Sequence, residues 1–161
     1  MKALPALALS VLVIGSPASA QTSAWMAENS VDAFTDEERF GAVTLGDTTA
    51  AAFMCDPSGD FVAFRVVNGL IDIEAGNQRD ITWRIDQEEP VYTSWLNLRD
   101  GGAMASWDEA IDVARAVRRA SDRFVVRSGG KTVTFSVRGV TVKIEAAIEG
   151  CGIPVEASEL Q

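Results

Sequence analysis

The 161-residue chain contains no histidine. That removes the commonest general base, the Ser-His-Asp and Cys-His nucleophile arrangements, and most catalytic zinc sites. Cysteine is scarce, with Cys55 and Cys151 the only two. Basic residues are in deficit, 14 Lys and Arg against 23 Asp and Glu, which leaves a formal charge of −9. A chain this acidic repels phosphate backbones and anionic membrane surfaces, so nucleic acid is not an expected partner. What remains is ordinary globular composition, 47% hydrophobic with 5 prolines and 13 glycines, so collagen-like and disordered classes are excluded. The length suits one domain with its own core.

Long apolar runs are confined to the N-terminus. Met1-Lys2 supplies a positive start, Ala3 to Gly15 is almost wholly apolar, and Ala18-Ser19-Ala20 has the small-x-small ending that a signal peptidase cuts. Residues 1–20 therefore read as a secretory signal peptide. The run is shorter than the ~20 residues a spanning helix needs, and Pro17 interrupts it. Residues 21–161 are then expected to form a single β-rich domain, periplasmic or secreted, with no membrane span in the mature chain. In an oxidising compartment Cys55 and Cys151 are expected to form a structural disulfide. Closing so long a loop is worth about 4 to 5 kcal/mol in the chain-entropy model. The close C-x-x-C spacing of a redox pair is not present.

Residues 21 to about 38 are polar and acidic, with Trp25 and Phe34 as isolated anchors. Short apolar runs punctuated by turns follow, and predict strands at Ala42–Leu45, Thr49–Cys55, Phe61–Val67, Leu70–Ile73, Ile81–Ile85, Val91–Leu98, Arg123–Arg127 and Thr132–Val137. Asp56-Pro57-Ser58-Gly59-Asp60 and Asn68-Gly69 are the strongest turn signals. One helix is clear. Ser106-Trp107-Asp108-Glu109 has the capping-box pattern, Trp107, Ala110, Ile111, Ala114 and Val117 share a face, and acids lead while arginines trail. The segment from Val140 to Cys151 carries a helical stripe, although Val140-Thr141-Val142 prefers strand; a short helix is favoured. The fold class expected is α+β, a mainly antiparallel β sheet or sandwich with one or two helices and one disulfide.

Candidate sites are few. Asp32, Asp36, Glu37 and Glu38 lack the alternating order of a calcium loop, as does Asp56–Asp60, and read as solvated acids. Asp86, Glu88 and Glu89 could act as an acid/base carboxylate system, but Pro90 marks an exposed turn. Arg115, Arg118, Arg119, Arg123 and Arg127 suit an anion-binding patch or, more simply, a helix end charged to match its dipole. The tryptophans Trp25, Trp83, Trp95 and Trp107 read as packing rather than as a sugar-stacking platform. Strand alternation places Arg84 and Asp86 on one face and Trp83 on the other. Arg84 and Asp86 form the candidate partner-binding pair. No metal or cofactor is expected.

Several of these pieces together resemble the VasI-like exported bacterial proteins associated with type VI secretion. They are Trp25, Asp32-Ala33-Phe34-Thr35-Asp36, Cys55, Trp83-Arg84-Ile85-Asp86, Thr134-Phe135-Ser136-Val137 running into Gly139, and Cys151. The invasion-associated locus B family is similar in size and layout, a weaker match. The first resemblance implies an envelope accessory protein with Arg84 and Asp86 as its characteristic polar pair, and no catalytic motif. The function expected is that of a non-enzymatic periplasmic accessory or binding protein whose partner is another envelope protein. The alternatives are a carboxylate-dependent glycan hydrolase and a proteinaceous inhibitor of an envelope-attacking enzyme.

Overall fold

The computed structural model describes residues 23–67, 76–99 and 101–156. The expected signal peptide over residues 1–20, the turn expected at Asn68-Gly69 and the strand expected at Leu70–Ile73 lie outside the described residues. Among the described residues ten strands form: β1 (Met26–Ala27), β2 (Ser30–Val31), β3 (Glu38–Leu45), β4 (Ala50–Cys55), β5 (Val62–Val67), β6 (Gln78–Ile85), β7 (Val91–Asn97), β8 (Gly102–Ser106), β9 (Arg123–Ser128) and β10 (Lys131–Ser136). Two helices join them, α1 (Trp107–Arg119) and α2 (Val140–Gly150). The last segment is therefore helical. All strand pairs among the described residues are antiparallel and belong to one sheet in the order β1-β3-β4-β5-β8-β7-β6-β9-β10, with β2 paired to β3. The fold is α+β, one rolled half-barrel with two helices rather than two stacked sheets.

The roll follows from the core. Phe64 on β5 and Phe124 on β9 meet edge to face with ring centroids 5.6 Å apart, although three strands separate β5 from β9 in the sheet. A flat sheet with ~4.8 Å between strands would hold them ~19 Å apart. Trp25, Trp83, Trp95 and Phe135 complete this aromatic cluster around the same two rings. Strand alternation builds it: on β4, Ala51, Phe53 and Cys55 are buried while Ala50, Ala52 and Met54 are partly exposed. On β10, Val133 and Phe135 point inward and Thr132 and Thr134 outward.

The two ends of the rolled sheet meet at Trp25. Its backbone N–H donates to the Arg138 carbonyl at 2.9 Å, just past β10, and its indole Nε1 donates to the Ser136 carbonyl at 2.7 Å. One residue ahead of β1 thus joins the first strand of the sheet to the last. Helix α2 begins beside this seam, where Gly139 takes a left-handed φ of 73°. The helix ends at the disulfide: Cys151 bonds Cys55 at the end of β4 with an S–S distance of 2.06 Å and a Cα separation of 6.1 Å. Gly150 is needed there, because a Cβ at this position would lie 2.6 Å from the Phe40 ring.

Helix α1 carries the chain from β8 back over the interior to β9 and buries Ala110, Val113, Ala114 and Val117. Its start differs from the capping-box expectation. The Ser106 side chain makes no cap bond because Ser106 is still in β8, paired with Ala63. Glu109 instead accepts hydrogen bonds from the Thr93 hydroxyl and, at 2.9 Å, from Trp95 Nε1. Trp107 leaves the helix face expected of it. It sits at a left-handed φ of 55°, where the chain turns sharply from strand to helix, and its side chain is 52% exposed.

Candidate functional site

A cleft of about 500 Å³ opens between the β6–β7 hairpin and the outer side of α1. Trp83, Arg84 and Ile85 line it from β6, Glu88, Glu89 and Val91 from the hairpin, and Asp112, Arg115 and Arg119 from α1. Each wall is held by a separate device. The hairpin turn is closed by the Glu88 N–H donating to the Ile85 carbonyl at 3.0 Å. The helix wall is fixed by Arg115, which donates to the carbonyls of Pro154 at 2.7 Å and Glu156 at 3.4 Å and stands 3.9 Å from Asp112.

The two residues paired in the sequence reading have different duties. Asp86 lies one residue beyond β6, at a left-handed φ of 47°, so strand alternation no longer governs where its side chain points. Its carboxylate accepts backbone N–H groups from Ser121 at 2.9 Å, Asp122 at 2.8 Å and Arg123 at 3.0 Å, and the Ser121 hydroxyl at 2.9 Å. Its own N–H donates to the Arg123 carbonyl at 2.8 Å. Asp86 therefore ties the α1–β9 connection to the end of β6. Partial desolvation pushes the carboxyl up, but the donors from Arg123, Ser121 and Asp122 outweigh it and leave the pKa at about 2. Arg84 has no such commitment: its guanidinium makes no ion pair or hydrogen bond within the described residues.

Trp83 anchors the strand beside Arg84. It is 8% exposed and packs at 6.5 Å from Phe124, yet its buried indole Nε1 has no hydrogen-bond partner among the described residues. Arg115 Nε is a second buried donor without an acceptor on the same cleft. Such groups normally find partners, and each one left unmatched is costly. The cleft mixes charges: Glu88, Glu89, Asp112 and Glu156 line it beside Arg84, Arg115 and Arg119, and of these arginines Arg84 alone holds no carboxylate or carbonyl among the described residues. Arginine suits this place because its planar fork takes carboxylate or phosphate oxygens in pairs.

The remaining arginines are dispersed rather than gathered into one patch. Arg118, 9% exposed, binds Glu145 of α2 at 2.6 Å and also Glu156, and its carbonyl accepts the Thr141 hydroxyl at 2.8 Å. It clamps α1 to α2. Burial lowers its pKa, but the hydrogen bonds it donates to Glu145 and Glu156 more than compensate and leave it raised. Arg119 donates to the Arg115 carbonyl, Arg123 stands 3.7 Å from Asp122, and Arg127 donates to Thr132. The early acids serve local turns: Asp32 organises the β2–β3 hairpin and Asp56 the turn before β5. Among the described residues no three Cys, Asp or Glu side chains converge to hold a metal ion.

Sequence reasoning missed two features of this surface. The first is Asp86 as a brace, since only the position of Ser121 to Arg123 reveals its donors. The second is Phe34, read as an anchor but 99% exposed at the tip of the β2–β3 hairpin. The chain matches no protein-family model, no curated protein and no solved structure. Among the described residues no helix is long and apolar enough to cross a membrane.

Proposed function

We propose that this chain is an exported, non-enzymatic accessory protein of the bacterial envelope that binds another envelope protein through the Arg84 cleft. The observation that carries the reading is the contrast inside one turn of chain. Asp86 spends its carboxylate on the fold and fixes the end of β6. Arg84, two residues earlier, is left with a free guanidinium on a braced strand beside the cleft. A rigid scaffold that presents an unpaired guanidinium is suited to meeting an anionic group of a partner. Export rests on the Met1–Ala20 leader pattern. A disulfide worth forming agrees with an oxidising compartment. The similarity to VasI-like proteins adds a secretion-associated setting to the same reading.

Two experiments test it. N-terminal sequencing of the exported form should begin at Gln21, and recovery of intact Met1 from soluble cytoplasm would refute export. In periplasmic pull-downs the Arg84→Ala variant should recover its partner at least tenfold less well than the parent. Turnover of peptidoglycan fragments by the purified protein would replace the binding role with the hydrolase alternative.

A further inference from the structure

We propose that the β2–β3 hairpin is a preformed knob that seats Phe34 in an apolar pocket of a cationic partner protein. This second contact surface does not rest on the Arg84 cleft. Phe34 is 99% exposed, and Val31 on the same hairpin is 61% exposed. Single exposed apolar residues are common and need no explanation. What sets this one apart is the bracing beneath it. The Asp32 carboxylate accepts the backbone N–H of Phe34 at 2.9 Å and of Thr35 at 3.1 Å. The Asp36 N–H donates to the Asp32 carbonyl and the Asp32 N–H to the Glu37 carbonyl, both at 2.9 Å. Asp36 completes the turn at a left-handed φ of 57°. Arg39 stands 3.8 Å from the other Asp32 oxygen, and its guanidinium lies 5.9 Å from the centre of the Phe61 ring.

The tip therefore holds one backbone shape before any partner arrives. Ordering a loop at the moment of binding is a main cost of association, and here that ordering belongs to folding. The base is equally fixed: Ser30 pairs with Arg39 and Val31 with Glu38, and the same strand β3 runs on through the sheet to Leu45. A large apolar side chain on a rigid mount, ringed by polar groups, has the anatomy of an interface anchor inside a water-excluding rim.

The rim gives the partner its chemistry. Asp32, Asp36, Glu37 and Glu38 surround the tip, and Arg39 is the single base among them. Together with a whole-chain charge of −9, this favours a pocket edged by lysine or arginine and disfavours an anionic lipid surface or a second copy of the same acidic chain.

The test places a photoreactive benzoylphenylalanine at position 34 of the full-length chain, expressed in the organism that makes it. The same probe at Tyr92, also strongly exposed, is the control. The expected result is a position-34 adduct with a protein that mass spectrometry identifies as basic, at least tenfold above the Tyr92 level. Charge reversal by Asp36→Lys with Glu37→Lys should cut that adduct by tenfold or more, while Phe34→Ser leaves Tm unchanged. The proposal is overturned by labelling no greater than at Tyr92, by adducts to lipid or to a second copy, or by an adduct indifferent to the charge reversal. A large fall in Tm for Phe34→Ser would overturn it as well, since the side chain would then be part of the core.

Discussion

The groups that close the sheet and the groups left at the cleft and at the β2–β3 tip are of the same residue types, used in opposite ways. At the seam, Trp25 is 2% exposed and both its N–H groups are bonded to carbonyls across the closure. Cys55 and Cys151 join the end of β4 to the end of α2, and Phe40 lies against Gly150. By contrast, Phe34 and Tyr92 stand in solvent, and among the described residues Trp83 Nε1 has no acceptor and Arg84 no anion. An aromatic ring or an arginine is therefore uninformative by type. Burial and the partners held within the chain, taken together, separate structure from contact.

The largest effects should come from breaking the seam. Trp25→Ala removes a buried ring from the Phe64 cluster together with the indole bond to Ser136, and should cost about 3–5 kcal/mol. Trp25→Phe keeps most of the packing and loses the indole donor, so about 1 kcal/mol is expected. Equilibrium denaturation of the two variants checks the difference. Equal losses would mean that ring packing contributes little beyond the hydrogen bond. Next, replacing both cysteines with serine should cost about 2–5 kcal/mol, on the order of 10 °C in Tm. Equal Tm with and without reductant would show that the seam does not depend on the disulfide.

The same division explains what the sequence made legible. Regular alternation exposed β6 and β10, and a lone cysteine pair left one partner for Cys55. Strand β8 stayed hidden because Gly102-Ala103-Met104-Ala105-Ser106 has little β-branched or aromatic character; its small residues Ala103 and Ala105 lie buried in the interior. That unseen strand also undid the capping-box reading, since Ser106 was already engaged with Ala63. Phe34 and Trp25 look alike as solitary aromatics in a polar stretch. Only the closure of the sheet, a contact more than a hundred residues away in the chain, buries one and leaves the other exposed. Asp86 was legible as a polar position but not as a brace, because its donors sit on a loop beyond α1.

Asp86, which ties the α1–β9 connection to the end of β6, should give the intermediate effect. Asp86→Ala strips acceptors from three backbone N–H groups in a partly solvated loop, and about 1–3 kcal/mol should be lost near neutral pH. The pH dependence has a definite sign. The folded pKa of about 2 lies below the ordinary 3.8, so folding favours the carboxylate. Its contribution is complete above the ordinary value and is lost as pH falls through the folded one. The stability gap between the parent and Asp86→Asn should therefore be constant near neutrality and narrow between about pH 4 and pH 2. Chemical denaturation across that range measures it, and a gap that stays constant throughout would show that the carboxylate charge is not what the loop donors require.

The smallest effect expected on stability is at Arg84, and its smallness is what the contact reading requires. Arg84 sits on β6 opposite Val125 of β9, so its backbone stays in the ladder whatever the side chain. Its guanidinium holds no carboxylate or carbonyl in the described chain, and truncation strands no acceptor. Exposed charges without good geometry contribute about 0–1 kcal/mol, so Arg84→Ala should lie within about 0.5 kcal/mol of the parent. Arg84→Lys keeps the charge but replaces the planar fork with a point donor. Recovery of partner that falls for both variants at unchanged Tm would indicate paired-oxygen recognition, while loss for alanine alone would indicate charge. A drop in Tm comparable to that of Asp86→Ala would place Arg84 with the structural groups and erase the difference between the two regions at this strand.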